Sequence, residues 1–369
     1  MKYKIPQVNP YFTKDEEKEV LDSLRNAWVT EGPKAKSFIS EMLSMTKAKY
    51  GVLAPNGTLA LYMSLMVLGI SPGDEVIVPD FTMIASSNAV YLTGATPVFV
   101  DVRIDDLNID TSKIEKAITK KTKAIMPIHI YGGACDMDKV MQIARKNKLL
   151  VVEDACQGHG LYYKKKHVGT IGDAGCFSFF ADKTFTTGGE GGMVVTNNKK
   201  IYEKLLYFRN QGRLSSGSFI HPQIGYNFRM TDLQCAVGLA QIRKFDKILK
   251  KRLENHNLYE NYLKDIKFIK VVRPLSYSSF TPFRFNIIVK NLPKLIKFLE
   301  KNGIQTREMF YPLHKQPCYS HYKYTDKNFR NSNYAYKNGL SLPVYFSLKK
   351  SQIKYICNKI QAFYAGQKR

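Results

Sequence analysis

A chain of 369 residues with 44% hydrophobic content is too long for one small core and suits a large domain joined to a smaller one. No apolar run approaches the roughly 18 residues needed to cross a bilayer, and no Cys-x-x-Cys pair or His/Cys cluster has zinc spacing, so neither a membrane nor a metal is expected. The net charge of +25 comes from lysines scattered along helical stretches without a nucleic-acid motif, so DNA and RNA are not expected partners, while a positive field favours an anionic small substrate.

The N-terminus, Met1-Lys2-Tyr3-Lys4-Ile5-Pro6, carries no signal-type apolar segment, so a cytoplasmic location is expected, with the six cysteines as buried thiols. Thr13 and Glu16 then form a capping box that opens a helix with Val20, Leu21, Leu24 and Trp28 on one face. A second helix is expected over residues 34–46. A strand at 51–54 turns through Asn56-Gly57-Thr58 into a helix reaching Leu68. Strands follow at 75–78, 97–100, 124–128 and 149–152, with helices at 111–118 and 138–146 between them. Residues 177–180 and 192–196 read as two more strands around a glycine-rich loop. Thr231 and Gln234 make another capping box, starting a long helix through about Leu263. A strand at 283–289, a helix at 293–301 and a closing helix at 351–363 complete the pattern. The alternation predicts an α/β fold with a mostly parallel central sheet flanked by helices, residues 1–245 forming the large domain and 246–369 a small C-terminal α+β domain.

In open α/β sheets ligands sit beyond the carboxyl ends of the strands. Four stretches fall at such ends. Asn56-Gly57-Thr58 combines a glycine with a helix N-terminus, which suits a phosphate; alone it reads first as an ordinary Asn-Gly turn. Glu153-Asp154-Ala155-Cys156-Gln157 places an acid after a buried strand, where it can pair with a pyridinium nitrogen or simply cap the next turn. Phe177-Ser178-Phe179-Phe180-Ala181-Asp182-Lys183 sets a lysine among aromatics, where a neighbouring cation lowers its pKa and frees the amine; it also reads as a surface lysine with a snorkelling stem. Gly188-Gly189-Glu190-Gly191-Gly192 is a tight loop or a plain hairpin turn.

The order of these stretches, with an acid 29 residues before a lysine and a phosphate-type turn upstream, resembles the fold-type I pyridoxal-phosphate (PLP) enzymes. The strings Asn56-Gly57-Thr58-Leu59-Ala60-Leu61, Gly73-Asp74-Glu75-Val76-Ile77-Val78-Pro79, Glu153-Asp154-Ala155, Gly225-Tyr226-Asn227-Phe228-Arg229-Met230-Thr231 and Tyr311-Pro312-Leu313-His314 are similar to the DegT family of sugar aminotransferases, and within it to members of the perosamine-synthase type. The resemblance covers nearly the whole chain. It implies that Lys183 carries the cofactor, Asp154 pairs with the pyridine nitrogen and Gln157 contacts the ring hydroxyl. Gly57, Thr58 and Ser178 are implied as phosphate ligands, Asn227 as a phosphate ligand given to a neighbouring subunit, and Arg229, Arg307 and His314 as residues facing the substrate. A homodimer with shared active sites, an amino-acid donor such as L-glutamate and a nucleotide-sugar acceptor of the 4-keto-6-deoxy type, serving surface polysaccharide or glycan synthesis, follow as expectations.

Two departures stand out. The position that stacks on the cofactor holds Met83 rather than an aromatic residue, and one extra residue separates the lysine from the Gly-Glu-Gly-Gly loop. The alternatives are an aminotransferase for another phosphorylated ketone or keto-sugar, the family's dehydratase branch, which carries histidine where Lys183 stands, and a non-catalytic member that kept the fold.

Overall fold

The computed structural model describes residues 3–213, 217 and 219–366. In chain order the elements are α1 (Lys14–Arg25), α2 (Pro33–Thr46), β1 (Tyr50–Ala54), α3 (Gly57–Val67), β2 (Glu75–Pro79), α4 (Ala85–Leu92), β3 (Thr96–Val100), α5 (Thr111–Ala117), β4 (Thr122–Ile125) and α6 (Met137–Asn147). β5 (Leu150–Asp154), the short hairpin β6 (Tyr162–Tyr163) and β7 (Lys166–His167), β8 (Ala174–Ser178), β9 (Gly192–Thr196), α7 (Lys199–Arg209), α8 (Asp232–Arg243) and α9 (Phe245–Leu263) follow. The last part holds β10 (Ile269–Val271), β11 (Phe285–Val289), α10 (Leu292–Lys301), β12 (Arg307–Glu308), α11 (Arg330–Asn338), β13 (Gly339–Leu342) and α12 (Lys350–Ala365).

The central sheet has seven strands in the order β1-β9-β8-β5-β4-β2-β3. β3, β2, β4, β5 and β8 run parallel, and β9 lies antiparallel between β8 and β1. Side chains alternate across a strand, and here both faces are buried. Val76, Val78, Val152 and Val194 enter one hydrophobic cluster, while Ile77, Val151, Met193 and Val195 enter the other. That is why these strands read as continuous apolar runs rather than alternating ones. A second, antiparallel sheet, β10-β11-β13-β12, packs its Phe285, Ile287 and Leu342 with Tyr259 of α9 and Ile356 of α12.

Both expected capping boxes are present, at Thr13/Glu16 and Thr231/Gln234. The long helix expected to reach Leu263 is two helices. It breaks at Lys244, whose φ of −111° and ψ of 14° leave the helical region. The break falls where the sequence divides the two expected domains. Ile5, at the other end of the chain, nevertheless bonds with the second unit through Gly303 and Gln305. The expected apolar face of α1 is not covered by the chain itself: Leu21 is 47%, Leu24 50% and Trp28 50% exposed. α4, α7, α11, β6, β7, β10, β12 and β13 go beyond the elements expected from the sequence.

Candidate active site

Strands β1, β2, β5 and β8 all end at one edge of the sheet, so the residues that follow them converge. Gly57, Thr58, Met83, Asp154, Gln157, Ser178, Lys183 and Arg307 line a single cavity of about 360 Å³. Thr82, Cys156, Phe180, Asp182, Glu190, Phe283, Arg284 and Phe310 share its walls.

The floor is the N-terminus of α3. Asn56 caps it, its side chain accepting from the Leu59 N–H at 2.9 Å. The N–H groups of Gly57 and Thr58, one turn too early for an intrahelical partner, remain as donors at the positive end of the helix dipole. A Cβ at Gly57 would stand 2.8 Å from Ser178 Cβ and 2.9 Å from Cys156 Sγ, so only glycine lets the backbone lie this close to the Ser178 hydroxyl. Gly192 has the same role from behind: its Cβ would meet the Asn56 carbonyl oxygen at 2.4 Å.

Asp154 is the last residue of β5 and is buried. One carboxylate oxygen accepts from the Ser86 hydroxyl at 2.7 Å and the other from the Cys156 N–H at 3.1 Å. Two donors fix its orientation. The adjacent Glu153 points to the opposite face. There it accepts from the N–H groups of Gly169, Ile171 and Gly172 and meets His129 at 3.0 Å. Burial pushes its pKa up, but the His129 contact and these amides hold it below the usual value.

Gln157 turns its side-chain oxygen to the Tyr131 N–H at 2.8 Å, which leaves its NH2 as a free-facing donor. Tyr131 adopts φ 53° and stacks on Phe310 with centroids 5.4 Å apart. Lys183 sits half-buried with its Nζ 5.0 Å from the Phe283 ring centre. Met83 is 53% exposed over the cavity, in position to cover one face of a flat ligand. Beneath Ser178, His159 is fully buried among Phe177, Phe179 and Phe185, and burial pulls its pKa down to about 3, so it is neutral.

Three expected residues stand apart from the cavity. Asn227 is exposed and bridges to Asn210, whose side-chain oxygen also accepts from Arg229 at 2.7 Å. His314 is buried and fully engaged. Its Nδ1 faces Asp80 at 2.8 Å, its Nε2 faces Asp326 at 3.0 Å, and its ring stacks on Phe329. With both nitrogens occupied it ties the 313–329 segment to the loop after β2 instead of reaching the cavity.

Ser86, Asp182, Arg284 and Tyr131 were not singled out in the sequence. Ser86 lies in a helix with no periodic signal. Arg284 had one: it is a charged residue in the apolar run Phe283-Arg284-Phe285-Asn286-Ile287 that leads into β11, and a buried arginine there demands a partner.

This donor set fits pyridoxal phosphate: an anion cradle, an oriented carboxylate for a ring nitrogen, an amide donor and a primary amine in one cavity. Comparison with known proteins agrees. The chain is 40% identical over 372 residues, covering 100% of both, to the GDP-perosamine synthase of Escherichia coli O157:H7. It is 34% identical over 333 residues, 89% of this chain and 88% of the other, to the UDP-N-acetyl-3-dehydro-alpha-D-glucosamine 3-aminotransferase of Acidithiobacillus ferrooxidans. It superposes on the PLP form of the putative sugar aminotransferase Spr1654 from Streptococcus pneumoniae with a TM-score of 0.92, 28% identity and 98% coverage of both chains. Residues 10–361 match the family pattern throughout, and the chain belongs to the DegT/DnrJ/EryC1/StrS aminotransferase family.

Proposed function

We propose that this chain moves an amino group from L-glutamate to the keto carbon of a nucleotide-linked 4-keto-6-deoxy sugar, supplying an amino sugar for surface polysaccharide or glycan synthesis. The enzyme is an aminotransferase dependent on pyridoxal phosphate. The observation that carries the finer reading is the full-length 40% identity to a GDP-perosamine synthase, joined to a cavity holding the cofactor residues. The net charge of +25 supports an anionic acceptor.

When bound, the cofactor supplies an electrophilic carbon and a ring that draws electrons from the bond being broken. The chain's own residues do the rest. The Gly57 and Thr58 N–H groups and the Ser178 hydroxyl hold the phosphate. Asp154 holds a proton on the ring nitrogen, which sustains the ring as an electron acceptor. The Gln157 amide donates to the ring hydroxyl, and Met83 covers a ring face. Lys183 would hold the cofactor through its Nζ, and the same amine, when free, would take up a proton from the donor Cα in one half-reaction and deliver a proton to the sugar carbon in the other.

The reading includes a homodimer that shares its active sites. Asn227 and Arg229 lie outside the cavity of their own chain and next to exposed Ile224 and Tyr226, as expected of residues that serve a partner.

A panel of keto-sugar nucleotides offered to the pyridoxamine form tests the substrate. The visible absorbance of the cofactor should return with a 4-keto-6-deoxy nucleotide sugar. Return only with a 3-keto sugar moves the amination site, and no return with any member of the panel sinks the nucleotide-sugar reading.

A further inference from the structure

The loop between β4 and α6 holds an aromatic residue in a costly backbone conformation. Its first part runs beside the end of β5: the Asp154 N–H donates to the Pro127 carbonyl at 2.9 Å and the His129 N–H to the Asp154 carbonyl at 3.1 Å. His129 is fastened again through its ring, which meets Glu153 at 3.0 Å and accepts from the Cys135 N–H at 3.2 Å. Between these anchors the chain turns at Tyr131, with φ 53° and ψ 19°. Among the described residues it is the only aromatic one with a positive φ. A bulky side chain disfavours that region, and such a conformation persists only where its surroundings over-determine it.

The surroundings here are rings. Tyr131 is buried, lies flat on Phe310 with centroids 5.4 Å apart and 12° between the planes, and meets Phe81 edge-on at 6.3 Å. Phe310 lines the cofactor cavity, and so do Thr82 and Met83, the two residues after Phe81. Burial pushes the Tyr131 phenol pKa well up, against the opposing effect of Arg284, Ser341 and the Phe310 backbone, so the ring is neutral. What this conformation delivers is one aimed donor: the Tyr131 N–H reaches Gln157 Oε1 at 2.8 Å. Gln157 is itself buried, and its amide has an acceptor end and a donor end of nearly the same shape. With the acceptor end taken, the donor end faces the cavity. Turned over, the amide would set its oxygen against the ring oxygen of the cofactor and its NH2 against the Tyr131 N–H.

We infer that Tyr131 is a positioning residue, whose ring packing holds the backbone N–H that decides which end of the Gln157 amide meets the cofactor. The inference rests on the reading that Gln157 donates to the ring oxygen. It makes that contact depend on the second sheet, since Phe310 follows β12 and Ser341 belongs to β13. Negative charge on the ring oxygen helps to hold a proton on the neighbouring Lys183 nitrogen, and a donor on that oxygen draws the charge away. Losing the donor should therefore raise the pH at which the lysine-held cofactor changes its visible absorbance.

The test titrates the visible absorbance of the holoenzyme against pH, without substrate, in Tyr131→Val, Tyr131→Phe, Gln157→Ala and the double variant Tyr131→Val/Gln157→Ala. Valine is β-branched and does not hold a left-handed backbone, whereas phenylalanine keeps the stacked ring. Gln157→Ala and Tyr131→Val should each raise the midpoint by about one unit, the size of one hydrogen bond to a charged group. Tyr131→Phe should keep the wild-type midpoint, and the double variant should match Gln157→Ala, because Tyr131 acts only through that amide. A shifted Gln157→Ala beside an unshifted Tyr131→Val overturns the inference alone. So does a double variant in which the two shifts add, which gives Tyr131 a route of its own. An unshifted Gln157→Ala removes the ring-oxygen contact from the proposed function and the inference with it. Should Tyr131→Val fail to fold, Tyr131→Ala, which lacks the packed ring, decides by the same titration.

Discussion

Lys183 is one of many lysines in a strongly basic chain, and what distinguishes it is the company the fold assembles around it. Lys183→Ala should abolish amino transfer and remove the visible absorbance of the lysine-held cofactor, because only a primary amine forms that link; the phosphate cradle is untouched and can still retain the cofactor. Normal turnover in the variant would reassign the site. Asp154→Asn should keep the fold, since the amide oxygen still accepts from the Cys156 N–H while the amide NH2 donates to the Ser86 hydroxyl oxygen. It should lower kcat by about 10²–10³, the usual size of losing one oriented electrostatic contact. An unchanged kcat would reduce Asp154 to a turn cap. Both roles were expected through the resemblance, in which an acid precedes the lysine by 29 residues; taken singly, each residue reads first as structural. His314 shows the limit. Its resemblance pointed to the substrate, but Asp80, from the loop after β2, and Asp326, 12 residues on, face both ring nitrogens, and no local pattern announces a partner 234 residues away.

The elements explain how such segments are held. Between Asp80 and Asp326 the imidazole links the loop after β2, which carries Met83, to the segment after β12. Burial alone would lower the His314 pKa, but hydrogen bonds and charge from Asp80 and Asp326 raise it above 6.5. A raised folded-state pKa contributes stability that is complete below the unfolded value and is lost as pH rises through the folded one. The Asp326 carboxyl, held down to about 2 by His314 and Lys315, is charged over that window and loses its contribution only as pH falls below the usual carboxylate range. The Tm difference between wild type and His314→Gln should therefore be widest near pH 5–6 and narrow as pH climbs past neutrality. A difference constant over pH 5–9 would show that shape, not charge, holds the segment. At this scale the strands were legible because they are buried on both faces. The break at Lys244 was not, because the helical pattern runs on from α8 into α9 and only the backbone angles reveal the turn.

Across the whole molecule, the exposed large apolar side chains include a group on and just after α1 and another in the 219–229 segment. Leu21, Leu24, Trp28, Phe219, Ile220 and Ile224 are all exposed apolar residues. Exposed groups of this size mark contact surfaces. If Asn227 completes a partner's site, Lys183→Ala chains mixed with Asn227→Ala chains, each inactive alone, should regain activity on subunit exchange, because one site in each mixed dimer then has both residues intact. Exchange verified by mass without any activity would refute sharing, provided the Asn227→Ala enzyme alone is dead. The sequence could suggest this segment's task only through resemblance.

The place of β1 in the sheet has a consequence for synthesis. This strand leads directly into the α3 cradle, yet it stands at the sheet edge and pairs only with β9, about 140 residues later in the chain. A ribosome adding about 5–20 residues per second leaves β1 without its neighbour for roughly 7–28 s. Through that interval the apolar Val52 and Leu53 have no strand beside them, and the phosphate cradle has no Gly192 behind it. The cofactor pocket is thus among the last features to exist on a nascent chain, and a ribosome stalled before residue 192 should present a chaperone substrate with no capacity to hold the cofactor.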